Sequence, residues 1–382
     1  MSKKINIRPA TTRLAMLKNR GVLQRLVGAV LAISYSLAAY SIIRTGLIPT
    51  KYLLMSGFIT VIAVVLLEIV LIWRKTNLRR GVICMILAGM FIAINMGIYF
   101  LGVTTTNFLD RIQAGSGTNQ AALPELDETK PFTIYISGID TYGGIDTVSR
   151  SDVNILVVVN PRSHKILLVN TPRDYYVQLH GTTGLRDKLT HSGVYGIDMS
   201  VKTMEDLYAT PIDYYLRINF TSLVNIIDVL GGVDVNSAYN FKVGSDSFVI
   251  GSNHLDGKKA LEFARDRYSF EEGDRTRGEN QQRVIEAIIS KMSSSSSLLH
   301  YPDILESLQN SFQTNMSSID ITQLIRSQLN DMAKWQVKST SVNGSDSHNY
   351  TYSMPTTMLY VMEPDRASID AAKVEIRQYQ SQ

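Results

Sequence analysis

Three apolar stretches, all within the first 103 residues, constrain this 382-residue chain more than any other feature. Residues 26–43 are an uncharged run of 18, residues 52–73 a run of 22 broken only by Glu68, and residues 81–103 an uncharged run of 23. Each is long enough to cross a hydrocarbon layer of roughly 30 Å at about 1.5 Å of rise per helical residue. A cleaved signal peptide has one short apolar stretch, so three of them predict a retained membrane anchor and exclude a purely cytosolic protein.

The charges agree with that division. Residues 1–103 carry 13 basic side chains and one acid, a net +12, whereas residues 104–382 carry 25 basic and 33 acidic groups, a net −8. The overall +4 is a cancellation. Lys3, Lys4, Arg8, Arg13, Lys18, Arg20 and Arg25 precede the first stretch, and Arg74, Lys75, Arg79 and Arg80 separate the second from the third. Only Arg44 and Lys51 lie in the first loop. The positive-inside bias places the N-terminus in the cytoplasm and the last 279 residues outside a multi-pass cell-membrane anchor. The expected organisation is a cytoplasmic basic tail (1–25), three transmembrane helices (26–103), an extracellular stalk (104–130) and an extracellular domain (131–382). Glu68, near the cytoplasmic boundary, reads as a snorkelling or intra-bundle carboxylate or as a contact used in signalling. The single Cys84 excludes a disulfide framework and a cysteine zinc site, and reads as a small apolar filler.

Beyond the Gly- and Ser-containing stalk, residues 132–137, 153–159 and 165–170 are short β-rich runs, the last two separated by a five-residue turn. Residues 196–208, 221–230, 256–264 and 276–292 read as helices and 213–218 and 233–235 as strands. Val284, Ile285, Ile288 and Ile289 form one apolar stripe on the fourth helix. Further elements are expected at 304–312, 319–332, 335–342, 358–362 and 368–379. Interleaved helices and strands predict an α/β domain whose sheet is covered on both faces.

Polar residues gather at the ends of the first three runs. Asp140 ends the first, Arg150 and Asp152 open the second, and Arg173 follows the third, so alternating strand directions would bring all four to one sheet edge. Any one alone could be a turn carboxylate or a surface ion pair. A second cluster comprises Arg265, Arg267, Asp274, Arg277 and Gln281. In a helix Arg265 and Arg267 would diverge by roughly 200°, whereas in an extended segment they share a face. Arg277 and Gln281 continue the Val284 and Ile288 stripe, where polar groups are costly without a partner. Guanidinium forks near a helix N-terminus suit phosphate or pyrophosphate, although a solvated Arg-rich helix start has the same pattern. Between the clusters, Lys188 is a candidate phosphate contact, and His191 is either a general base or a hydrogen-bonded structural residue. Motifs of metalloproteases, serine hydrolases and Walker-type nucleotide hydrolases are absent. An acidic outer domain argues against nucleic acid as a partner.

These words, in order, resemble the LytR-CpsA-Psr (LCP) family of membrane-anchored cell-wall proteins, and within it the CpsA-like proteins of capsular polysaccharide attachment. They are Ser137-Gly138-Ile139-Asp140-Thr141-Tyr142-Gly143, Val148 through Leu156, Thr171-Pro172-Arg173-Asp174, Asp187-Lys188-Leu189-Thr190-His191, Arg267-Tyr268, Gly273-Asp274-Arg275 and Arg277-Gly278-Glu279-Asn280-Gln281-Gln282. The resemblance covers about 131–382, and the three preceding stretches also look like this subfamily. It implies a three-layer α-β-α domain with a mixed sheet. It further implies a phosphotransferase that moves a glycopolymer from a polyprenyl-pyrophosphate carrier onto peptidoglycan, with the lipid tail in an apolar tunnel and the capsule synthesis machinery as a further partner. Asp140 and Asp152 would hold Mg2+, or Mn2+ in its place. Arg150, Arg173, Arg265, Arg267, Arg277 and Gln281 would surround the pyrophosphate, with Asp274 holding the arginines. The long accessory region of some CpsA-like relatives is missing, because only the short stalk precedes Phe132. Two other readings compete: a regulator or presenter of lipid-linked polymer, and a phosphatase that only releases the carrier.

Overall fold

The computed structural model describes the backbone of residues 10–46, 48, 50–73, 78–115, 126–127, 129–145, 147–294 and 312–381, and their side chains except at 10–25, 50, 66–73, 78–84 and 108–115. It divides into two units, Met1–Asn107 and Phe108–Gln382.

The first unit contains helices α1 (Ala10–Thr45), α2 (Thr50–Trp73) and the start of α3 (Leu78–Gly115). Two stretches are long and apolar enough to cross a membrane, Leu26–Thr45 and Met85–Asn107. In α2 the described apolar stretch is the shorter Lys51–Val65. Glu68 and Cys84 lie outside the residues whose side chains are described. Small residues set the helix contacts, as expected where lipid supplies no hydrophobic drive. A Cβ on Gly102 of α3 would sit 2.6 Å from Ser41 Oγ of α1, and the Tyr35 hydroxyl of α1 lies 3.5 Å from Ser56 of α2. Buried Asn95 and Thr105 donate back to the carbonyls of Phe91 and Leu101, so no side-chain donor is stranded there. Helix α3 continues to Gly115, well into the expected stalk, because no proline or glycine interrupts 103–114. Most of the remaining stalk, 116–125, lies outside the described residues.

The second unit is built on strands β1 (Phe132–Ile139), β2 (Ser151–Asn160) and β3 (Lys165–Asn170). A small β4–β5 pair (Tyr176–Val177, Asp187–Lys188) and a 3-10 helix (Leu189–Tyr195) lead to α4 (Ile197–Tyr208), β6 (Tyr214–Asn219) and α5 (Phe220–Val229). Strands β7 (Val233–Ser237), β8 (Phe241–Val243), β9 (Asp246–Phe248) and β10 (Gly251–Leu255) precede α6 (Gly257–Arg265) and α7 (Gly273–Met292). After β11 (Phe312–Thr314) come the helix Ser318–Asp331, β12 (Gln336–Ser341), the ribbon β13 (Gly344–Tyr350) and β14 (Met358–Pro364), and the helix Arg366–Ser381. The element expected at 304–312 lies outside the described residues up to Phe312.

Six strands form one mixed sheet in the order β11-β6-β1-β2-β3-β12. β2 is antiparallel to both β1 and β3, whereas β6 runs parallel to β1 and β12 parallel to β3. Strand β2 is apolar on both faces, as a strand covered twice must be. Its Leu156 and Val158 face Met204 and Tyr208 of α4 and Ile369 and Ile376 of the last helix. The alternate Ile155, Val157 and Val159 face Ile285 and Ile289 of α7 and Ile321 and Leu324 of the helix after β11. The expected α/β sheet with helices on both faces is therefore present.

The stripe expected on α7 divides. Val284, Ala287 and Ile288 turn toward a second core shared with α5, α6 and the β7–β10 strands, where Phe241, Phe248 and Phe263 pack with centroids 4.7 to 5.4 Å apart. Ile285 and Ile289 remain on the sheet. A helix wedged between two cores needs two apolar faces, so its pattern looks like one broad stripe.

Candidate active site

The antiparallel register of β1, β2 and β3 brings the ends of β1 and β3 and the start of β2 to one edge, and the parallel partners β6 and β12 end there too. Asp140, Arg150, Asp152 and Arg173 thus share an edge, as expected, with the N-terminus of α7 beside them.

Arg173 is the hub. Its Nη1 donates to Asp152 Oδ1 at 3.2 Å, and its Nε lies 3.2 Å from Asp274 Oδ2 and 3.4 Å from Asp174 Oδ2. Its side chain is only 23% exposed, so these carboxylates compensate a largely desolvated charge. Burial lowers the proton affinity of the guanidinium, but Asp274, Asp152 and Asp174 outweigh it and the net direction is upward. The hub is also fixed by backbone: Thr190 N–H donates to the Arg173 carbonyl at 2.8 Å, and the Thr190 hydroxyl donates to Asp152 Oδ1 at 3.0 Å. Gly193 is required here, because a Cβ would lie 2.6 Å from the Ser149 carbonyl and 2.7 Å from the Ser151 nitrogen.

Asp274 sits in the first turn of α7, where a carboxylate complements the helix dipole. It accepts from Arg277 Nη2 at 3.0 Å and lies 3.8 Å from Arg267 Nη1. Burial holds the Arg277 guanidinium below its ordinary value. Lys188 Nζ donates to Asp174 Oδ1 at 2.9 Å and lies 5.6 Å from the Tyr360 ring centroid. The charged groups surround a solvent-open cleft lined by Asp152, Arg173, Asp274, Arg277 and Gln281 together with residues of the β12–β14 segment.

Arg265 and Arg267 flank buried Asp266, where the chain leaves α6 and becomes extended, and their partners differ. Arg265 ends α6, lies 3.7 Å from Asp140, and its guanidinium carbon stands 4.2 Å over the Phe220 ring. Arg267 reaches Asp274 instead and donates to the Tyr268 hydroxyl. Asp140 and Arg265 form an open outer end of the site, outside the cleft lining, and Arg150 is exposed with no hydrogen bond or ion pair to a described residue. Gln281 lines the cleft and does not follow the apolar stripe. The buried glutamine is its neighbour Gln282, whose Nε2 donates to the carbonyls of Leu168 at 3.2 Å and Thr340 at 2.8 Å and ties β3 to β12. The close approach of α7 to β3 requires Gly278, which leaves no room for a Cβ against Asn170.

Sequence reasoning missed four contributors. Asp174 and Thr190 stood inside quoted motifs without a role, while Tyr360 and Met362 belong to a ribbon whose first strand, Gly344–Tyr350, is polar and carries no apolar periodicity. The His191 ring is fixed through Nδ1, which meets both Asp187 Oδ1 at 2.7 Å and Ser353 Oγ at 2.8 Å.

Asp187 is fully buried and also accepts from Ser353 N–H at 2.8 Å. Burial pushes its carboxyl up, but the hydrogen bonds from His191 and Ser353 pull it further down, to a net value below the ordinary carboxylate range. A depressed folded-state pKa stabilises above the unfolded value near 4 and loses that contribution as pH falls through the folded value. Asp187→Ala should therefore cost about 2–3 kcal/mol at neutral pH, because it strands buried donors. The melting gap between variant and wild type should close below about pH 4, which calorimetry across that range would measure.

The LytR_cpsA_psr family profile matches residues 99–369. The chain belongs to the LytR-CpsA-Psr family. The polyisoprenyl-teichoic acid–peptidoglycan teichoic acid transferase TagU of Bacillus cereus is 36% identical over 210 residues, covering 55% of this chain and 67% of that protein. The Bacillus mycoides protein of the same name is 30% identical over 260 residues, 67% of this chain and 84% of that one. The crystal structure of B. subtilis TagV matches 66% of this chain and 98% of its own with a TM-score of 0.56 and 29% identity. The structure of TagT bound to LI-WTA matches 68% and 95%, with a TM-score of 0.54 and 26% identity. These names refer to teichoic acid, not to capsule.

The divalent cation that the LytR-CpsA-Psr resemblance implies can be tested against the donor set. Among the described residues no group of three or more metal-ligating side chains gathers. Magnesium, however, is commonly held by one or two carboxylates together with substrate phosphate oxygens. Asp152 uses Oδ1 for both of its partners and keeps Oδ2, and Asp140 meets Arg265 only through Oδ1. Asp152 Oδ2 at the cleft and Asp140 Oδ2 at its outer end are hard oxygens of the kind that magnesium takes.

Proposed function

We propose that this chain is a membrane-anchored transferase that moves a glycopolymer from a polyprenyl-pyrophosphate carrier to a hydroxyl of peptidoglycan. The observation that carries the reading is Arg173, largely buried among Asp152, Asp174 and Asp274, with Arg277 sharing Asp274 and Arg267 beside it. In the reaction an acceptor oxygen bonds to the phosphorus nearest the sugar, the phosphoanhydride bond breaks, and polyprenyl monophosphate leaves. Charge grows on the leaving phosphate, and positioned guanidinium groups in a partly dry cleft stabilise it without reorganising. Arg173 and Arg277 bind and orient the phosphates, with Gln281 at the cleft wall and Lys188 paired to Asp174 beside it, while Asp274 and Asp174 hold the cations in register. Mg2+ or Mn2+, held by Asp140 and Asp152, would add Lewis-acid charge at the phosphate oxygens when bound.

The three-stretch anchor, similar to that of CpsA-like proteins, makes lipid-linked capsular polysaccharide the first donor to test. The names of the relatives make lipid-linked teichoic acid the second. The test incubates the full-length protein in detergent with a lipid-pyrophosphate oligosaccharide, purified peptidoglycan and Mg2+, and looks for the covalent conjugate. Release of polyprenyl phosphate without conjugate would favour a phosphatase, and binding without turnover a presenter. The basic flanks also place the N-terminus inside the cell and the large domain outside. Protease added to intact protoplasts should remove the large domain and spare an epitope at residue 10, and protection of the large domain would overturn this topology.

A further inference from the structure

We propose that the exposed face of the β13–β14 ribbon is a docking track for the glycan chain of the acceptor, leading it into the cleft. The proposal rests on the transfer reading above and names where the acceptor lies. In this ribbon Asp346 pairs with Met362, His348 with Tyr360 and Tyr350 with Met358, and residues directly opposite across an antiparallel pair share a face. Met362 and Tyr360 line the cleft. The face therefore begins at the phosphate site and runs outward to Tyr350 and Met358, about 13 Å at roughly 3.3 Å per residue.

Burial separates the two faces. On the track Tyr360 is 36%, Tyr350 45% and Met358 53% exposed, whereas Val361 on the opposite face is fully buried. The Tyr360 side chain and the Tyr350 backbone are held in place. The Tyr360 hydroxyl donates to Asp346 at 2.8 Å, the His348 ring meets the Tyr360 ring edge-on at 5.9 Å, and the Tyr350 carbonyl accepts from the Tyr176 hydroxyl at 2.7 Å. Rigid aromatic area left in water is preorganised for a ligand, because little conformational entropy is lost on contact. Flat ring faces with a carboxylate, an imidazole and hydroxyls at their rim match a sugar ring, which has an apolar face and hydrogen-bonding edges.

Charge selects the acceptor over the donor. Residues 344–362 contain no lysine or arginine and one acid, Asp346. Beyond Tyr360, whose ring lies 5.6 Å from Lys188 Nζ, a phosphate-rich donor polymer would meet no lysine or arginine of this ribbon, whereas a glycan of hydroxyl and amide groups suits it. The donor's phosphates are met by Arg173 and Arg277, which also line the cleft.

The test uses full-length protein in detergent with wild type, Tyr350→Ala, Met358→Ala and Tyr350→Trp, all outside the cleft lining. Binding of soluble, polymer-free peptidoglycan glycan chains is measured directly, and donor cleavage is measured without acceptor. Each alanine variant should weaken glycan binding about fivefold or more, near 1 kcal/mol. Tyr350→Trp should retain binding, and donor cleavage should remain at the wild-type rate. Unchanged glycan binding in both folded alanine variants would overturn the track, as would a parallel loss of donor cleavage, which would assign the face to the donor. Glycan binding is read without turnover, so a wild type that binds glycan through this face but forms no conjugate would overturn the transfer reading and leave the track standing.

Discussion

Arg173→Lys should lower the rate of conjugate formation about 100-fold or more, near 2.7 kcal/mol of transition-state stabilisation. Lysine keeps the charge, yet one ammonium cannot reproduce a planar fork that meets Asp152 through Nη1 and Asp274 and Asp174 through Nε. Those carboxylates also pack around the hub, so the substitution misaligns Arg277 through their shared Asp274. Arg267→Lys should cost only about tenfold, because its side chain is 39% exposed and stands 3.8 Å from Asp274. Single-turnover rates at saturating donor separate the two. Rates within about threefold of wild type for Arg173→Lys would mean that the cleft supplies general positive potential and no directed contact.

Asp152→Asn tests the metal assignment at almost constant shape. The amide oxygen can still accept from Arg173 and Thr190, so the melting temperature should stay close to wild type. What disappears is the negative charge beside the oxygen left for a cation. Turnover should fall about 100-fold or more, and the response to added Mg2+ or Mn2+ should flatten. Titrating each metal into wild type and variant at fixed donor reads both effects. A variant with wild-type turnover in chelator would remove Asp152 from any metal role and leave it as the residue that orients Arg173.

Much of the site was legible because its residues sit at strand ends. Asp140, Asp152 and Arg173 each terminate or open a β-rich run, and alternating strand directions were enough to bring them together without knowledge of strand order. The pairing of arginines with particular acids was not legible. Arg265 and Arg267 differ by two positions, yet one faces Asp140 and the other Asp274, because α6 ends between them. Gln281 lines the cleft, and the buried structural role of its neighbour Gln282 was not legible, because α7 packs on two cores at once. An element was expected at 358–362, where β14 lies, but β13 escaped notice because none of its residues is buried, so it shows none of the apolar alternation of a half-buried strand.

The sequence by itself determined the membrane anchor, the α/β character of the domain, the family motifs and the set of charged residues, because hydropathy, periodicity and short motifs are local along the chain. Only the tertiary structure decided that Arg173 is the hub, that His191 is tied to Asp187 and Ser353, and that Tyr360 and Met362 wall the cleft. Those facts depend on contacts between residues far apart in the chain, such as the Met362 N–H on the Asp174 carbonyl. Local pattern carries no record of which distant segment closes a site, because that choice is made by the packing of whole elements against a shared sheet.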